Sequence, residues 1–87
     1  MKILFHRNFE KDYVKLRISE RNKFKERLRV FTRDPFNATL GNHALNGKYR
    51  GYRSINIGGD LRAVYKTIKT EEYLFVAIGT HSKLYGL

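Results

Sequence analysis

Two histidines and an aspartate are the side chains of this sequence best suited to exchange protons with a substrate. His43 and Asp60 lie at the two ends of one stretch, and His81 follows in a second stretch. The first stretch also mixes aromatic and basic residues, at Lys48, Tyr49, Arg50, Tyr52 and Arg53. Acid and base groups beside a basic, aromatic surface indicate work on a polyanion. We expect RNA, because its phosphates bind cations and its bases stack on aromatic rings.

The charge of the chain points to the same partner. Its 87 residues contain 18 Lys and Arg against 8 Asp and Glu, a formal net charge of +10. The basic residues are spread along the chain rather than collected in a tail. The summed field of such a domain should attract nucleic acid or an acidic protein. A charge that serves solubility alone is the alternative, although a surplus this large repels itself and costs stability.

Composition disfavours several classes of protein. The chain has no cysteine, which excludes disulfides and thiolate metal sites and fits a reducing cytoplasm. Its three histidines lack the close spacing of metal ligands, so we expect no metal and no cofactor. No apolar run approaches the roughly 18 residues that span a bilayer, and no signal peptide is evident. We therefore expect one cytoplasmic domain over residues 1–87, without a membrane partner.

The spacing of apolar residues predicts two helices after an opening strand at residues 2–5. Apolar positions spaced by four and then three predict a helix over roughly residues 8–18, with Asn8 as its N-cap. A second helix should be capped by Ser19 and end before Pro35, because proline disfavours the helical conformation of the preceding residue. The two helices would form a hairpin with almost no linker.

The second half of the chain predicts strands. Residues 36–51 contain three glycines and no sustained periodicity, so we expect an irregular loop there. Period-two alternation follows, with a hairpin signal at Gly58-Gly59, a turn near residues 69–72 and a last strand at 73–78. The expected order is β-α-α-β-β-β. This is an α+β fold in which the helical hairpin packs on a small antiparallel sheet of about four strands.

These residues also carry a likeness to a known family. They are His43-Ala44-Leu45, Gly47, Tyr49, Gly51-Tyr52-Arg53, Asp60, Tyr65-Lys66, and the run Gly-Thr-His-Ser-Lys-Leu-Tyr-Gly at residues 79–86. In order and spacing they resemble the RelE/ParE superfamily of type II toxin–antitoxin toxins, and most closely the YafQ-like ribonuclease toxins. The resemblance covers nearly the whole chain and implies a RelE-like fold.

The resemblance implies a function as well. Family members are small basic toxins that cut mRNA without a metal, often in the ribosomal A site, and a cognate antitoxin neutralises them. The RNA 2′-hydroxyl is the nucleophile, and the cut leaves a 2′,3′-cyclic phosphate. We therefore expect an mRNA interferase, a metal-independent endoribonuclease. Its expected partners are mRNA, the ribosome and an antitoxin protein, the last in a toxin–antitoxin hetero-oligomer.

Specific residues follow from the same resemblance. His43, Asp60 and His81 fall on catalytic positions of the family. The resemblance adds Arg53, Arg62 and Tyr85 as RNA-binding or phosphate-binding residues, and the basic, aromatic run adds Lys48 and Arg50. The chain departs from the family at Asn56, where the YafQ-like pattern has a histidine, and asparagine cannot transfer protons near neutral pH. Arg62 resembles an arginine of the wider superfamily that contacts the scissile phosphate, and it would compensate.

Cleavage of RNA by its own 2′-hydroxyl needs a base, an acid for the leaving 5′-oxygen, and cations for the charge of the phosphorane. Histidine suits the first two roles because its unperturbed pKa is about 6.5. We assign the acid to His81, the base to Asp60 or His43, and phosphate stabilisation to Arg53 and Arg62. Each residue also has a structural alternative as a loop histidine, a turn residue or a paired arginine.

Two other functions stay open at this stage. A ParE-like toxin would share the fold but inhibit DNA gyrase without cutting RNA, and Asn56 weakens the argument against it. A non-catalytic basic module would bind RNA with a strong dependence on salt and release no cyclic phosphate. Growth arrest with intact mRNA and altered DNA supercoiling would indicate the gyrase inhibitor.

Overall fold

A computed structural model describes residues 1–86 of the chain. Its elements are β1 (Lys2–Phe5), α1 (Arg7–Val14), α2 (Ile18–Arg33), β2 (His43–Ala44), β3 (Arg53–Gly58), β4 (Leu61–Lys69), β5 (Glu72–Thr80) and α3 (His81–Tyr85). Two 3-10 turns, Ala38–Leu40 and Gly47–Tyr49, lie between α2 and β3. The predicted α+β architecture, a helical hairpin packed on a sheet, is confirmed.

The sheet has five strands in the order β1-β5-β4-β3-β2. β3, β4 and β5 form the predicted antiparallel meander, and the short β2 extends it antiparallel to β3. The prediction of a four-stranded antiparallel sheet was wrong at the other edge, because β1 pairs parallel with β5. Parallel neighbours need a long connection. Both helices and the rest of the meander separate these two strands, so no local turn signals their pairing.

The two predicted helices are present in the expected order, and each begins before its predicted cap. The structure adds a third helix, α3, which was not predicted. At α1 the imidazole Nδ1 of His6 accepts a hydrogen bond from the N–H of Asn8 at 3.0 Å, so His6 is the cap. At α2 the carboxylate of Glu20 accepts a backbone N–H three residues earlier at 3.0 Å, and Ser19 lies inside the helix. α2 ends before Pro35, as predicted. Within residues 1–86, no helix is both long enough and apolar enough to cross a membrane.

Aromatic rings fill the core between the helices and the sheet. Phe9, Phe24 and Phe31 of the helices meet Tyr65 and Phe75 of the sheet. The ring centroids of Phe31 and Tyr65 lie 5.0 Å apart, and those of Phe24 and Phe75 lie 5.8 Å apart, both edge-on. Burial of each ring contributes roughly 2–3 kcal/mol. This packed face supports the sheet from one side and leaves the other side free for a site.

The other face of the sheet carries a smaller apolar cluster. Its members are Val64, Ala77 and Leu84, with Leu45, Tyr49, Tyr52, Val76 and Tyr85 packed around them. Cross-strand partners share a face of a sheet. The registers His43–Ser54, Ser54–Val64 and Asn56–Arg62 therefore place His43, Asn56 and Arg62 on this second face, which we call the open face.

Candidate active site

Four of the predicted site residues line a single cavity at the edge of the open face. His43, Arg62, His81 and Tyr85 surround about 380 Å³ together with Leu45 and Asn46. They come from β2, β4 and α3, which are far apart in sequence. We call this space the active-site cavity. Leu45 and Asn46 were not predicted, since neither residue type carries a chemical signal of its own.

His43 is exposed and held in one tautomer. Its Nδ1 lies 2.9 Å from the carbonyl oxygen of Gly41. A carbonyl oxygen only accepts hydrogen bonds, so Nδ1 carries the proton and Nε2 is free to accept one. Gly41 has a φ of +51°, a left-handed conformation that favours glycine. The turn before β2 thus orients the ring and selects the neutral tautomer whose Nε2 can accept a proton.

His81 is the first residue of α3, and three contacts fix its position. The hydroxyl of Thr80 caps the helix by accepting the N–H of Lys83 at 3.2 Å. The N–H of His81 donates to the carbonyl oxygen of Asp60 at 3.2 Å, which ties α3 to the β3–β4 hairpin. The imidazole packs edge-on against Tyr85, with centroids 4.6 Å apart. The aromatic residue predicted near the site therefore touches the predicted acid.

Arg62 brings the positive charge of the active-site cavity. Its Nη1 donates to the side-chain oxygen of Asn56 at 2.7 Å and to the carbonyl oxygen of Gly59 at 3.3 Å. Both acceptors are neutral, and no carboxylate pairs with Arg62 within residues 1–86. The guanidinium is thus oriented but not neutralised, and its other nitrogens are available to an anion.

Asp60 does not line the active-site cavity. It lies at the β3–β4 turn and borders a different cavity of about 410 Å³, shared with Ser19 and Lys23 of α2. Its contact with the predicted acid is made by its backbone oxygen. The structure therefore places His43 and His81 at one cavity and Asp60 at another.

Arg53 belongs to the helix-facing side of the sheet. Its Nε donates to the side-chain oxygen of Asn42 at 2.7 Å, and its guanidinium lies 5.1 Å from the ring centroid of Phe36. The amide of Asn42 in turn donates to the carbonyl oxygen of Pro35 and to the hydroxyl of Tyr65, both at 2.8 Å. This network anchors the segment that leads into His43. Asn42 was missed from the sequence, although it directly precedes that histidine.

Lys48 and Arg50 lie on the exposed segment between β2 and β3 rather than in the active-site cavity. The ammonium of Lys48 sits 5.4 Å from the ring centroid of Tyr49. Lys48 lies in the 3-10 turn Gly47–Tyr49, and Arg50 directly follows that turn and is exposed. Both residues are exposed and lie outside the active-site cavity. Among residues 1–86, no group of three or more His, Asp or Glu side chains could hold a metal ion.

Solved structures share this fold from end to end. Chain-wide matches include YafQ from E. coli BL21(DE3), with 28% identity, a TM-score of 0.78 and 98% of both chains covered. The E. coli DinJ–YafQ toxin–antitoxin complex matches with 29% identity, a TM-score of 0.76, and 98% of this chain and 97% of that one. A YoeB/ParE toxin from Agrobacterium tumefaciens shares the fold at 22% identity and a TM-score of 0.76, over 93% of this chain and 99% of that one.

The class is therefore that of the small toxins of the RelE superfamily. A family model described as a bacterial toxin of type II toxin–antitoxin system, YafQ, matches residues 1–86. The chain belongs to this YafQ family of type II toxins, and the resemblance predicted from its residues is confirmed. No curated protein sequence matches the chain significantly.

Proposed function

We propose that this toxin is a metal-independent endoribonuclease that cleaves mRNA on the ribosome. The observation that supports the proposal best is the active-site cavity. It combines an oriented histidine with a free Nε2, a second histidine at a helix start, and an arginine without an acidic partner. These side chains can supply the base, the acid and the phosphate cation that RNA cleavage needs.

The first step in this mechanism belongs to His43. Its Nε2 removes the proton of the 2′-hydroxyl, and the 2′-oxygen then forms a bond to the adjacent phosphorus. In the neutral ring, the hydrogen bond from Nδ1 to Gly41, 2.9 Å long, places the proton on Nδ1 and makes Nε2 the acceptor. Asp60 was the other predicted base. We favour His43 because it lines the active-site cavity, whereas Asp60 borders a different one.

The second step belongs to His81 and Arg62. As the bond from phosphorus to the 5′-oxygen breaks, protonated His81 gives its proton to the leaving oxygen. Arg62 stabilises the additional negative charge of the phosphorane through its free guanidinium nitrogens. The products are a 2′,3′-cyclic phosphate and a 5′-hydroxyl. Each positioned proton transfer is worth about 10²–10⁴-fold in rate.

The proposal includes an antitoxin partner. A similar E. coli structure is a complex between YafQ and DinJ. By analogy, we propose that a cognate antitoxin with an acidic segment covers the open face of this toxin in a hetero-oligomer. The net charge of +10 favours such a partner, as it favours mRNA and the ribosome.

The experiment that tests this function is mapping of mRNA 5′ ends after brief induction in bacteria. The wild-type toxin should produce discrete cuts in register with codons, and His81→Ala should produce none. Ser82→Ala is the matched control, because Ser82 is the exposed neighbour of His81 in the same helix. It should cut like the wild type. Equal cutting by folded His81→Ala would overturn the role of His81.

The other functions left open by the sequence give different outcomes in this experiment. Growth arrest with intact mRNA and altered DNA supercoiling would indicate that the toxin inhibits gyrase and does not cleave RNA. Intact mRNA without growth arrest would leave a binding module. Either result contradicts the proposed function.

A further inference from the structure

A second cavity, of about 330 Å³, is lined by four lysines. Lys11 and Lys15 come from α1 and its C-terminal end, Lys48 from the turn Gly47–Tyr49, and Lys83 from α3. We call this space the lysine cavity. Only Lys48 among the four was predicted to bind RNA. The other three meet it because α1 and α3 pack on the same strand, β5.

The lysine cavity has a surplus of positive charge. Its one carboxylate, Asp12, lies 3.7 Å from the ammonium of Lys83 and joins α1 to α3. The other three lysines make no ion pair within residues 1–86. Four lysines against one aspartate leave the lining with a net charge of +3. Like charges around one cavity repel one another, and a bound anion reduces that repulsion.

A row of aromatic rings joins the lysine cavity to the active-site cavity. Tyr49 lines the lysine cavity, and its ring centroid lies 6.0 Å from that of Tyr85. Tyr85 lines the active-site cavity and lies 4.6 Å from His81. The ammonium of Lys48 lies 5.4 Å from the Tyr49 centroid. Aromatic rings flanked by cations form the surface on which single strands stack bases and hold phosphates.

We propose that the lysine cavity binds the phosphates of the single-stranded RNA that flanks the cleavage site. The strand would leave the active-site cavity, cross Tyr85 and Tyr49, and place its backbone among Lys11, Lys15 and Lys48. This inference rests on the proposed function, since it names where the substrate of the active-site cavity continues.

The residue types indicate what this subsite contributes. Lysine ammonium groups bind phosphate as point charges and do not read bases. Contacts to the phosphate backbone set affinity and register, whereas contacts to base edges carry sequence preference. The lysine cavity should therefore strengthen binding of any single strand and leave codon preference unchanged.

The test measures binding of a short 2′-O-methylated oligoribonucleotide, which its own 2′-oxygen cannot cleave. The variant is Lys11→Gln/Lys15→Gln, and the matched control is Lys25→Gln/Arg29→Gln. Each pair is exposed and one helical turn apart, and each loses two charges. Thermal unfolding establishes that both variants are folded. Affinity is measured over a series of monovalent salt concentrations.

We expect the Lys11/Lys15 variant to bind several-fold more weakly at low salt. Its slope of log affinity against log salt should be shallower by about 1.4, because each lost phosphate contact to a single strand removes about 0.7. The control should keep the wild-type slope. An unchanged slope in the Lys11/Lys15 variant would overturn the proposal and would indicate that these lysines bind an acidic protein instead. Equal changes in both variants would overturn it in favour of diffuse attraction.

This experiment separates the lysine cavity from the proposed cleavage. Binding that depends on Lys11 and Lys15, in a protein that never cuts RNA, would keep the subsite and reject the ribonuclease. Cleavage by a protein whose binding ignores both lysines would keep the ribonuclease and reject the subsite.

Discussion

Asn56 is the position at which this chain departs from the YafQ-like pattern, and it forms a hydrogen bond with Arg62. Asn56 cannot transfer a proton, but its side-chain oxygen accepts from Arg62 at 2.7 Å. A neutral acceptor orients the guanidinium without neutralising it, whereas a protonated imidazole in that place would repel it. In the proposed mechanism, Asn56 is a positioning residue for the phosphate cation, and proton transfer is left to His43 and His81.

The two arginines of β3 and β4 should separate catalysis from stability. Arg62→Ala should lower the cleavage rate by about 10²–10³-fold, because it removes charge stabilisation from the transition state. Its free energy of unfolding should fall by about 0.5–1.5 kcal/mol, because the oxygen of Asn56 loses its donor. Arg53→Ala should cost about 1–3 kcal/mol of stability, because it leaves the oxygen of Asn42 without its donor. Cleavage assays and urea unfolding of both proteins measure this contrast.

Arg62→Lys is the control for charge alone, and it should recover only part of the cleavage, since lysine lacks the guanidinium fork. A fully stable Arg53→Ala protein that no longer cuts RNA would contradict this division. It would place Arg53 in the phosphate site despite its position on the helix-facing side of the sheet.

The short helix α3 supplies two of the side chains that line the active-site cavity. Its five residues place both His81 and Tyr85, and its start is joined to the β3–β4 hairpin through the backbone of Asp60. So short a helix has little stability of its own. The cap from Thr80 and the burial of Leu84 hold it in place.

Removal of the cap on α3 should therefore affect catalysis more than stability. Thr80→Ala should cost about 1 kcal/mol of unfolding free energy. It should also lower the cleavage rate by about 10-fold or more, because a displaced catalytic group loses the gain of a fixed orientation. Thr80→Ser keeps the hydroxyl and should resemble the wild type in both measurements. If Thr80→Ala cleaves at the wild-type rate, the cap does not position His81.

Local patterns in the sequence predicted the opening strand β1, the helix pair and the meander, and they failed for β2 and α3. The helix pair and the hairpin at Gly58-Gly59 have repeating apolar positions or turn residues that signal them directly. β2 has two residues and α3 has five, too few for any periodicity to appear. The parallel pairing of β1 with β5 depends on residues at opposite ends of the chain. No turn between them encodes it.

The candidate site was predictable in residue type but not in arrangement. His43 and His81 were chosen for their chemistry, and the structure places both in one cavity. Asp60 and Arg53 were chosen by the same argument, and neither lines that cavity. Asp60 lies in the turn between β3 and β4 and borders another cavity. For Arg53 the difference comes from strand register. Arg53 and Ser54 are adjacent, so they point to opposite faces of the sheet.

At the scale of the whole molecule, the aromatic core and the proposed sites lie on different faces of the sheet. The aromatic core lies against the helices, while the active-site and lysine cavities border the open face or its edge. A hydrogen bond between Asn42 and Tyr65 links the two faces of the sheet. Tyr65 belongs to the aromatic core, and Asn42 directly precedes His43. Burial raises the pKa of the Tyr65 phenol, and the hydrogen bond from Asn42 opposes that rise.

This raised pKa predicts a loss of stability at alkaline pH. The folded state keeps the phenol protonated at a pH where the unfolded chain ionises, so the contribution of Tyr65 is complete below about pH 10. It is lost as the pH rises from there through the folded-state pKa. Urea unfolding should show a steeper alkaline fall in stability for the wild type than for Tyr65→Phe, which has no phenol to ionise. Parallel curves for the two proteins would contradict this account.

The central claim is that the RNA 2′-hydroxyl attacks the phosphate in the cavity of His43, Arg62 and His81. The most direct measurement uses purified toxin and ribosomes programmed with mRNA that carries one 2′-deoxy nucleotide just before the mapped cut. Unmodified mRNA should yield a 2′,3′-cyclic phosphate and a 5′-hydroxyl, and the deoxy-substituted mRNA should stay whole at that position. Cleavage of the deoxy-substituted mRNA there, or a 5′-phosphate on the product, would contradict the proposed mechanism.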